Sequence, residues 1–309
     1  MTSAATSLAV LVTGAGGQLG SDLLDVLRPA RDVVGCRGLL RSDLDVADPM
    51  AVADTVTRWA AAMRSGAPGA RLVVVNAAAY TAVDAAEDDE ETAYAVNAAG
   101  PALLAAACQR VGAQLLHVST DYVFPGDRPN GPPYEVDDAT GPRSADGRTK
   151  LAGELAVREM LPVGSWVVRT AWVYGATGAN FVKTMARLQR ERGTVSVVAD
   201  QTGSPTWSRD LAEGLAALLR ADPAPGTYHC TNAGETTWFG FTQAIFAELG
   251  ADPAAVTPTT SADFPRPAPR PEYSVLSSRA WEDAGLPVMP PWRDALARAF
   301  AAEGPSLRA

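Results

Sequence analysis

The residues best able to do chemistry lie at the two ends of one stretch, residues 119–154. Its first end reads S-T-D-Y-V-F and its second end reads D-G-R-T-K-L-A-G-E. A hydroxyl at a strand end, followed by a loop and by a lysine on the next helix, can form a proton-donating site. Thr120 and Lys150 are the candidate pair. Asp146 stands four positions before the lysine, so its carboxyl must enter any account of the proton transfer.

The start of the chain predicts a nucleotide site to accompany this chemistry. An apolar run at residues 8–13 leads into T-G-A-G-G-Q-L-G, with glycines at 14, 16, 17 and 20. Glycines at such a turn let the backbone approach a pyrophosphate, and the following helix offers its N-terminal N–H groups to the phosphates. We predict a dinucleotide site whose turn contains Gly14, Gly17, Gln18 and Leu19.

The residue after the second strand indicates which dinucleotide is preferred. We predict that strand at residues 32–36, and Arg37 follows it with no acid nearby. An arginine there suits the 2′-phosphate of NADP, whereas an acid would bind the 2′-hydroxyl of NAD. NADPH is therefore the expected cofactor, with NADH and a solvated surface arginine as the alternatives. The other predicted cofactor contacts are Asp45, Val46, Ala77, Ala78 and Lys150.

Strands alternate with helices through the first 170 residues. Helices are predicted at residues 18–27, 49–63 and 144–160, and in two pieces around Gly100 and Pro101; strands are predicted at 71–75, 114–118 and 165–169. This alternation predicts an α/β fold, a Rossmann-type doubly wound parallel sheet. Beyond residue 170, proline and glycine are denser. We expect a nucleotide-binding domain at 1–170, with later segments interleaved, and a smaller C-terminal substrate-binding lobe at 171–309.

Composition excludes several classes of protein. The net charge of −9 disfavours nucleic-acid binding, which needs a basic surface. Three widely spaced cysteines and two histidines suggest neither a disulfide framework nor a zinc site. No apolar run approaches the ~20 residues that span a bilayer. With no charged leader before the first strand, a cytoplasmic protein without membrane contact is expected.

Several motifs in combination resemble those of the extended short-chain dehydrogenase/reductases. They are V-N-A at 96–98, S-T-D-Y-V-F at 119–124, R-T-A-W-V-Y-G at 169–175, D-Q-T-G-S-P-T at 200–206 and R-P-A-P-R-P at 266–271. Together they are most similar to the members that reduce dTDP-linked 4-keto-6-deoxysugars, and the resemblance covers nearly the whole chain.

This resemblance implies hydride transfer from NADPH to the C4 carbonyl of a dTDP-linked 4-keto-6-deoxyhexose. In that family a tyrosine donates the proton, assisted by a lysine four residues later and by a hydroxyl at the preceding strand end. Here the hydroxyl is Thr120, the lysine is Lys150, and Asp146 occupies the tyrosine position. The substrate contacts implied by position are Asp121, Tyr122, Trp172, Asn180, Gln201 and Arg270, the last as a phosphate clamp.

The aspartate leaves catalytic competence open. A carboxyl donates a proton near neutral pH only if its pKa is raised, and beside the Lys150 ammonium we expect the pKa of Asp146 to fall. Loss of a general acid costs ~10² to 10⁴ in rate. Three interpretations follow: an inactivated reductase, an active one that takes its proton from water, Tyr122 or the substrate, or a regulatory relative without activity. A ketoreductase of an antibiotic pathway, such as a dihydrostreptose synthase, is an alternative for the product.

The resemblance also implies a homodimer with Mg²⁺ held by acidic side chains at the interface. Asp22 and Glu191 match two of those positions in charge, but the third falls at Ala302, beside Glu303. We therefore predict no metal site, and we expect these acids to be surface residues.

Overall fold

A computed structural model describes residues 7–128 and 131–308 of the chain. Its helices are α1 Gln18–Leu27, α2 Pro49–Gly66, α3 Glu90–Tyr94, α4 Gly100–Val111, α5 Ala145–Met160, α6 Phe181–Arg192, α7 Ser208–Ala221, α8 Trp238–Glu248, α9 Arg279–Asp283 and α10 Trp292–Leu307. Its strands are β1 Leu8–Thr13, β2 Val33–Leu39, β3 Arg71–Asn76, β4 Gln114–Thr120, β5 Ser165–Thr170, β6 Val173–Tyr174, β7 Val195–Val198, β8 Thr202–Gly203, β9 Thr206–Trp207, β10 Gly226–His229, β11 Thr236–Thr237 and β12 Val256–Thr259.

Six parallel strands form the central sheet, in the order β10-β5-β4-β3-β1-β2. The predicted doubly wound fold is therefore confirmed. The register aligns the ends of neighbouring strands, since Thr13 pairs with Asn76 and Asn76 pairs with His117. Polar side chains at the carboxyl ends of three strands are thus brought to one edge, where open α/β sheets bind their ligands.

Hydrophobic cores cover both faces of the sheet, as an all-parallel sheet requires. Alternate residues of β1 point to opposite sides, so Val10 and Val12 pack with α1 and α7, whereas Ala9 and Leu11 pack with α2, α4 and α5. The near-continuous apolar sequence of β1 follows from this double burial.

A third core belongs to the C-terminal part of the chain. Residues of α6, α8 and α10 enclose it together with the small β7–β12 sheet. However, α7 packs on α1, and β10 pairs with β5, so the chain returns to the first lobe after residue 207. Among the described residues, no helix has the length and apolar character needed to cross a membrane.

Two predicted boundaries differ from the structure. Strand β2 continues to Leu39, three residues beyond its predicted end, although it contains two glycines. A Cβ on Gly35 would lie 2.8 Å from the sulfur of Met63, and one on Gly38 would lie 2.6 Å from the side chain of Leu24. Both glycines therefore serve helix packing and do not end the strand. The predicted break at Gly100 is replaced by a π-helical segment, Ala95–Ala99, that leads directly into α4.

Candidate active site

A cavity of about 790 Å³ lies at the carboxyl edge of the central sheet, within the usual size range of ligand pockets. Its lining includes the glycine turn, the end of β4 and the first turns of α5. The predicted site residues that line it are Gly14, Gly17, Gln18, Leu19, Asp45, Val46, Ala77, Ala78, Thr120, Asp121, Tyr122, Asp146, Lys150, Trp172 and Asn180. Arg37, Gln201 and Arg270 are not among its lining residues.

The glycine turn has the shape that a dinucleotide pyrophosphate needs. Gly14 has a φ of +70°, and a Cβ there would lie 2.6 Å from the backbone of Ala77. A Cβ on Gly20 would collide with the carbonyl oxygen of Gly14. Gly17 is the N-cap residue of α1 and has no side chain to bond the first N–H groups, and the first turn of the helix contains no acidic residue. The free N–H groups and the positive end of the helix dipole are thus open to phosphate.

The predicted cofactor arginine does not line the main cavity. Because β2 extends to Leu39, Arg37 lies within the strand and lines a separate groove with Arg58 and Trp59. Arg41 follows the true end of β2 and lines the main cavity. The strand end was predicted three residues too early, so Arg37 lies within β2 and Arg41 occupies the position after it.

A row of polar side chains fixes the strand ends beneath the cavity. Thr13 Oγ1 donates to Asn76 Oδ1 at 2.7 Å, and that oxygen also accepts from Ala78 N at 3.2 Å. Asn76 Nδ2 lies 3.1 Å from His117 Nδ1. Burial, with a contribution from the charge of Lys150, holds the pKa of His117 well below its usual value. His117 is therefore a neutral structural residue.

Asn97 supports the cavity from behind its lining, a role that the sequence did not indicate. It lies in the π-helical segment, accepts from Tyr80 N at 2.9 Å and donates to Thr149 Oγ1 at 3.2 Å. It thereby ties the cavity-lining loop at Tyr80 to helix α5. A Cβ on Gly153 would collide with the carbonyl oxygen of Asn97, so the two helices touch there. The V-N-A motif at residues 96–98 was the sequence signal that could have pointed to Asn97.

Helix α5 presents Asp146 and Lys150 to the cavity from successive turns. Lys150 Nζ donates to the carbonyl oxygen of Val118 at 2.5 Å, which anchors the ammonium against β4. One turn later, the fully buried Glu154 accepts from Arg169 on both oxygens, at 2.7 and 2.9 Å. Ser119 Oγ also donates to Glu154 at 2.5 Å. These contacts fix α5 against β4 and β5.

The electrostatics of Asp146 differ from the prediction. The residue is only 7% exposed, and burial raises the pKa of its carboxyl above 3.8, although the charges of Lys150 and Arg270 act to lower it. No group in the described ranges donates a hydrogen bond to this carboxyl. The expectation that Lys150 would lower the pKa was wrong because desolvation of the carboxylate outweighs the attraction. Burial likewise lowers the pKa of Lys150, against the influence of Asp146 and Glu154.

Asp121 has the most perturbed carboxyl of the cavity. Thr120 Oγ1 donates to its Oδ1 at 3.1 Å, whereas its Oδ2 is buried and has no hydrogen-bond partner within the described chain. Burial raises the pKa of Asp121 to about 7, against the lowering effect of the Ser274 and Thr120 hydroxyls. Burial also raises the pKa of the neighbouring Tyr122 above its usual value, which makes that phenol a weaker proton donor.

The opposite wall of the cavity joins the two lobes. Trp172, with a φ of +47°, stacks on Trp238 at 3.5 Å between ring centroids and 5° between planes. A Cβ on Gly203 would lie 2.5 Å from the Trp172 ring, so the indole is held on both sides. Asn180 Nδ2 donates to Gln18 Oε1 at 3.0 Å and links α6 to the glycine turn. Trp238 lines the cavity and was not predicted.

The other two predicted substrate contacts lie outside the cavity lining. Gln201 Nε2 donates to Ser261 Oγ at 2.8 Å. Arg270 binds Asp84 at 2.9 Å, and Arg266 binds the same carboxylate. The proline-rich segment is thereby fastened to the loop after β3. The guanidinium of Arg270 remains close enough to influence the pKa of Asp146.

The acids considered for Mg²⁺ make contacts of other kinds. Asp22 is buried and accepts from the Ser208 hydroxyl, so it is not the surface acid expected. Glu303 accepts from Trp207 Nε1 at 3.2 Å. Glu191 pairs with Arg187 at 3.0 Å, one turn away on the same helix. Over residues 7–128 and 131–308, no group of three or more potential metal ligands is found.

Comparisons with known proteins identify relatives over almost the full length. The family model described as RmlD substrate binding domain matches residues 8–304. A dTDP-4-dehydrorhamnose reductase of Mycobacterium tuberculosis is 51% identical over 297 residues, 95% of this chain and 92% of its own. A probable dTDP-4,6-dihydroxy-2-methyloxan-3-one 4-ketoreductase of Streptomyces antibioticus is 48% identical, covering 96% and 98%. The crystal structure of the Bacillus anthracis dTDP-4-dehydrorhamnose reductase with NADP superimposes with a TM-score of 0.88, at 37% identity, covering 96% and 100%.

Proposed function

Because the chain belongs to the RmlD substrate binding domain family, we propose that it reduces dTDP-4-dehydrorhamnose at C4 to dTDP-L-rhamnose with NADPH. It is an NADPH-dependent oxidoreductase of the dTDP-4-dehydrorhamnose reductase type, in the pathway of dTDP-rhamnose biosynthesis. Competence at the chemical step is a separate question, since Asp146 holds the position of the proton-donating tyrosine.

One observation carries the proposal. A single cavity is lined both by Gly14 and Gly17 of the glycine turn and by Thr120 and Lys150. A dinucleotide whose pyrophosphate lies on the N-terminus of α1 would extend its nicotinamide towards the lysine, beside the hydroxyl at the end of β4. Cofactor and reacting carbonyl would thus share one enclosed space, as hydride transfer requires.

The side chains of the cavity support the following division of labour. NADPH, when bound, supplies the hydride. Arg41 would bind its 2′-phosphate at the end of β2, and Lys150 would hold the nicotinamide ribose. Thr120 would donate a hydrogen bond to the C4 carbonyl and polarise it. Asp146 leaves the developing alkoxide without the phenol that the resemblance implies.

The substrate contacts form a second part of the proposal. Trp172 and Asn180 line the cavity wall opposite the sheet and would bound the sugar. Arg270 is only 17% exposed and is already held by Asp84. A dTDP diphosphate would therefore compete with that carboxylate for the guanidinium, which is suited to bidentate binding of phosphate. Gln201, held by Ser261, would lie behind this contact.

Two further candidates deserve a test. The similarity to the Streptomyces antibioticus ketoreductase favours a related dTDP-4-keto-deoxysugar as substrate, in the class that includes dihydrostreptose synthesis. Asp146 favours a regulatory relative that binds nucleotides without turnover. A homodimer and a cytoplasmic location complete the proposal, and size-exclusion chromatography with light scattering tests the first of these.

NADPH oxidation with a dTDP-4-keto-6-deoxy-L-hexose tests the function directly. Wild type is compared with Asp146→Tyr, and the product sugar is identified by NMR spectroscopy. We expect the substitution to raise kcat at least tenfold, because restoring a general acid contributes ~10² to 10⁴ in rate. Turnover by neither protein, while both bind NADPH, would point to the regulatory relative. An unchanged rate would mean that Asp146 does not limit the chemical step.

A further inference from the structure

A buried carboxyl and the hydroxyl beside it form a pair to which the steps above give no role in proton transfer. On the basis of the proposed function, we infer that Asp121 is the proton source of this chain and acts through the hydroxyl of Thr120. The pair thereby takes the place of the tyrosine that Asp146 replaces. Thr120 touches the substrate carbonyl in this scheme, and Asp121 stands behind it.

The geometry provides the connection. Thr120 Oγ1 lies 3.1 Å from Asp121 Oδ1, and both residues line the cavity that contains Lys150. The backbone N–H of Tyr122 donates to the same hydroxyl at 3.2 Å, which fixes the position of its oxygen. Asp121 is 3% exposed, so bulk water has little access to its carboxyl.

Burial of Asp121 favours its protonated form on structural grounds. Its Oδ2 has no partner within hydrogen-bond geometry in the described part of the chain, although the Ser274 hydroxyl lies close enough to lower the pKa of the carboxyl. A buried carboxylate oxygen without a well-placed donor is costly. A protonated acid avoids most of that cost and can donate its proton to Thr120. The raised pKa of about 7 agrees with this description.

Some of the groups facing Asp121 lower the pKa of its carboxyl and others raise it. The hydroxyls of Ser274 and Thr120 favour the carboxylate, whereas the charge of Asp146, on α5, disfavours it. Tyr122 is coupled to Asp121 by the same repulsion. The presence of Asp146 thus has two effects. The site lacks the phenol of a tyrosine, and the negative charge of Asp146 favours the protonated form of Asp121.

The step balances in atoms and electrons. As the hydride of NADPH forms the new C4–H bond, the π electron pair of the carbonyl takes the hydroxyl proton of Thr120. The Thr120 oxygen takes the proton of the Asp121 acid. The products are a secondary alcohol, NADP⁺ and the Asp121 carboxylate, which regains a proton from solvent after the product has left.

A double-mutant cycle tests the inference. Asp121→Asn is made in wild type and in Asp146→Tyr, and kcat is measured with the dTDP-4-keto sugar. We expect a loss of roughly 100-fold or more in wild type and of less than about fivefold beside the restored tyrosine. Equal losses in the two backgrounds would show that Asp121 only binds or positions, and would overturn the inference. So would an unchanged wild-type rate.

Variants of the hydroxyl supply the matched control. Thr120→Ser keeps the relay and should retain most of the activity, whereas Thr120→Val should lose it, with NADPH affinity reporting on folding in both. The wild-type kcat should fall tenfold per pH unit above about 7, the pKa of Asp121. The Asp146→Tyr protein should keep its rate to higher pH. A pH-independent wild-type rate would overturn the relay.

Two results separate this inference from the proposed function. An inactive wild type beside an active Asp146→Tyr protein overturns the relay and leaves the proposed function intact. Inactivity of both proteins overturns the proposed function. NMR titration of ¹³C-labelled aspartate then decides on the relay without substrate, using Asp121→Asn to assign the signal. A carboxyl titrating near 7 supports it, and one titrating near the usual 3.8 overturns it.

Discussion

The buried Asp121 carboxyl predicts an unusual dependence of stability on pH. Its folded-state pKa of about 7 lies above the usual 3.8, so between these values the folded protein holds a proton that the unfolded chain has lost. The free energy of unfolding therefore falls as pH rises through this window. The perturbation that tests this is Asp121→Asn, which keeps the shape of the side chain and removes its titration.

The magnitude follows from the two pKa values. At 1.36 kcal/mol per pH unit, the difference between 3.8 and about 7 amounts to at most about 4 kcal/mol. Between about pH 5.5 and pH 8, the free energy of unfolding of wild type should fall by roughly 2 kcal/mol of this total. The Asn variant lacks this loss, so its stability relative to wild type should rise by about that amount over the interval.

Urea unfolding at both pH values, followed by tryptophan fluorescence, provides the measurement. The exposed Asp88 supplies the control, and Asp88→Asn should show no such rise. A stability difference between wild type and Asp121→Asn that is equal at both pH values would refute the reasoning. It would mean that water or a rearranged donor reaches Oδ2 and keeps the carboxylate ionised.

Two other substitutions have defined outcomes. Arg41→Ala should raise KM for NADPH roughly tenfold and leave KM for NADH unchanged, whereas Arg37→Ala should alter neither constant. Initial rates measured with both cofactors test this. The reverse pattern would identify Arg37 as the ligand of the 2′-phosphate. Glu154→Gln should cost about 3–5 kcal/mol in urea unfolding because it leaves Arg169 buried without its counter-charge, while Glu213→Gln, in an exposed pair, should cost less than about 1 kcal/mol.

The sequence predicted the central sheet well because its signals are local. The apolar run of β1, the glycine turn and the bounds of α1 were all confirmed. The end of β2 was not, since it was predicted at Cys36, whereas Gly35 and Gly38 both lie inside the strand. Their purpose depends on Met63 and Leu24, which lie on other elements. The choice between Arg37 and Arg41 as the cofactor arginine depends on this single boundary.

The sequence indicated the residues of the candidate site more fully than their burial and pKa values. The spacing that brings Asp146 and Lys150 together on α5 can be read from the chain. The depth at which they are buried depends on the whole fold, and that depth decides the sign of the pKa change. Trp238 was missed because it reaches the cavity from a helix more than sixty residues beyond Trp172, with no pattern linking the two.

The stacked pair of Trp172 and Trp238 gives the protein an optical signature. Two indoles stacked at 3.5 Å between ring centroids couple their electronic transitions, so their near-ultraviolet spectrum differs from that of separated indoles. One indole follows β5 of the central sheet, and the other begins α8 of the C-terminal lobe. This spectral difference therefore reports whether the two lobes remain in contact at the stack, and its loss on adding a dTDP-sugar would mark their separation without any label.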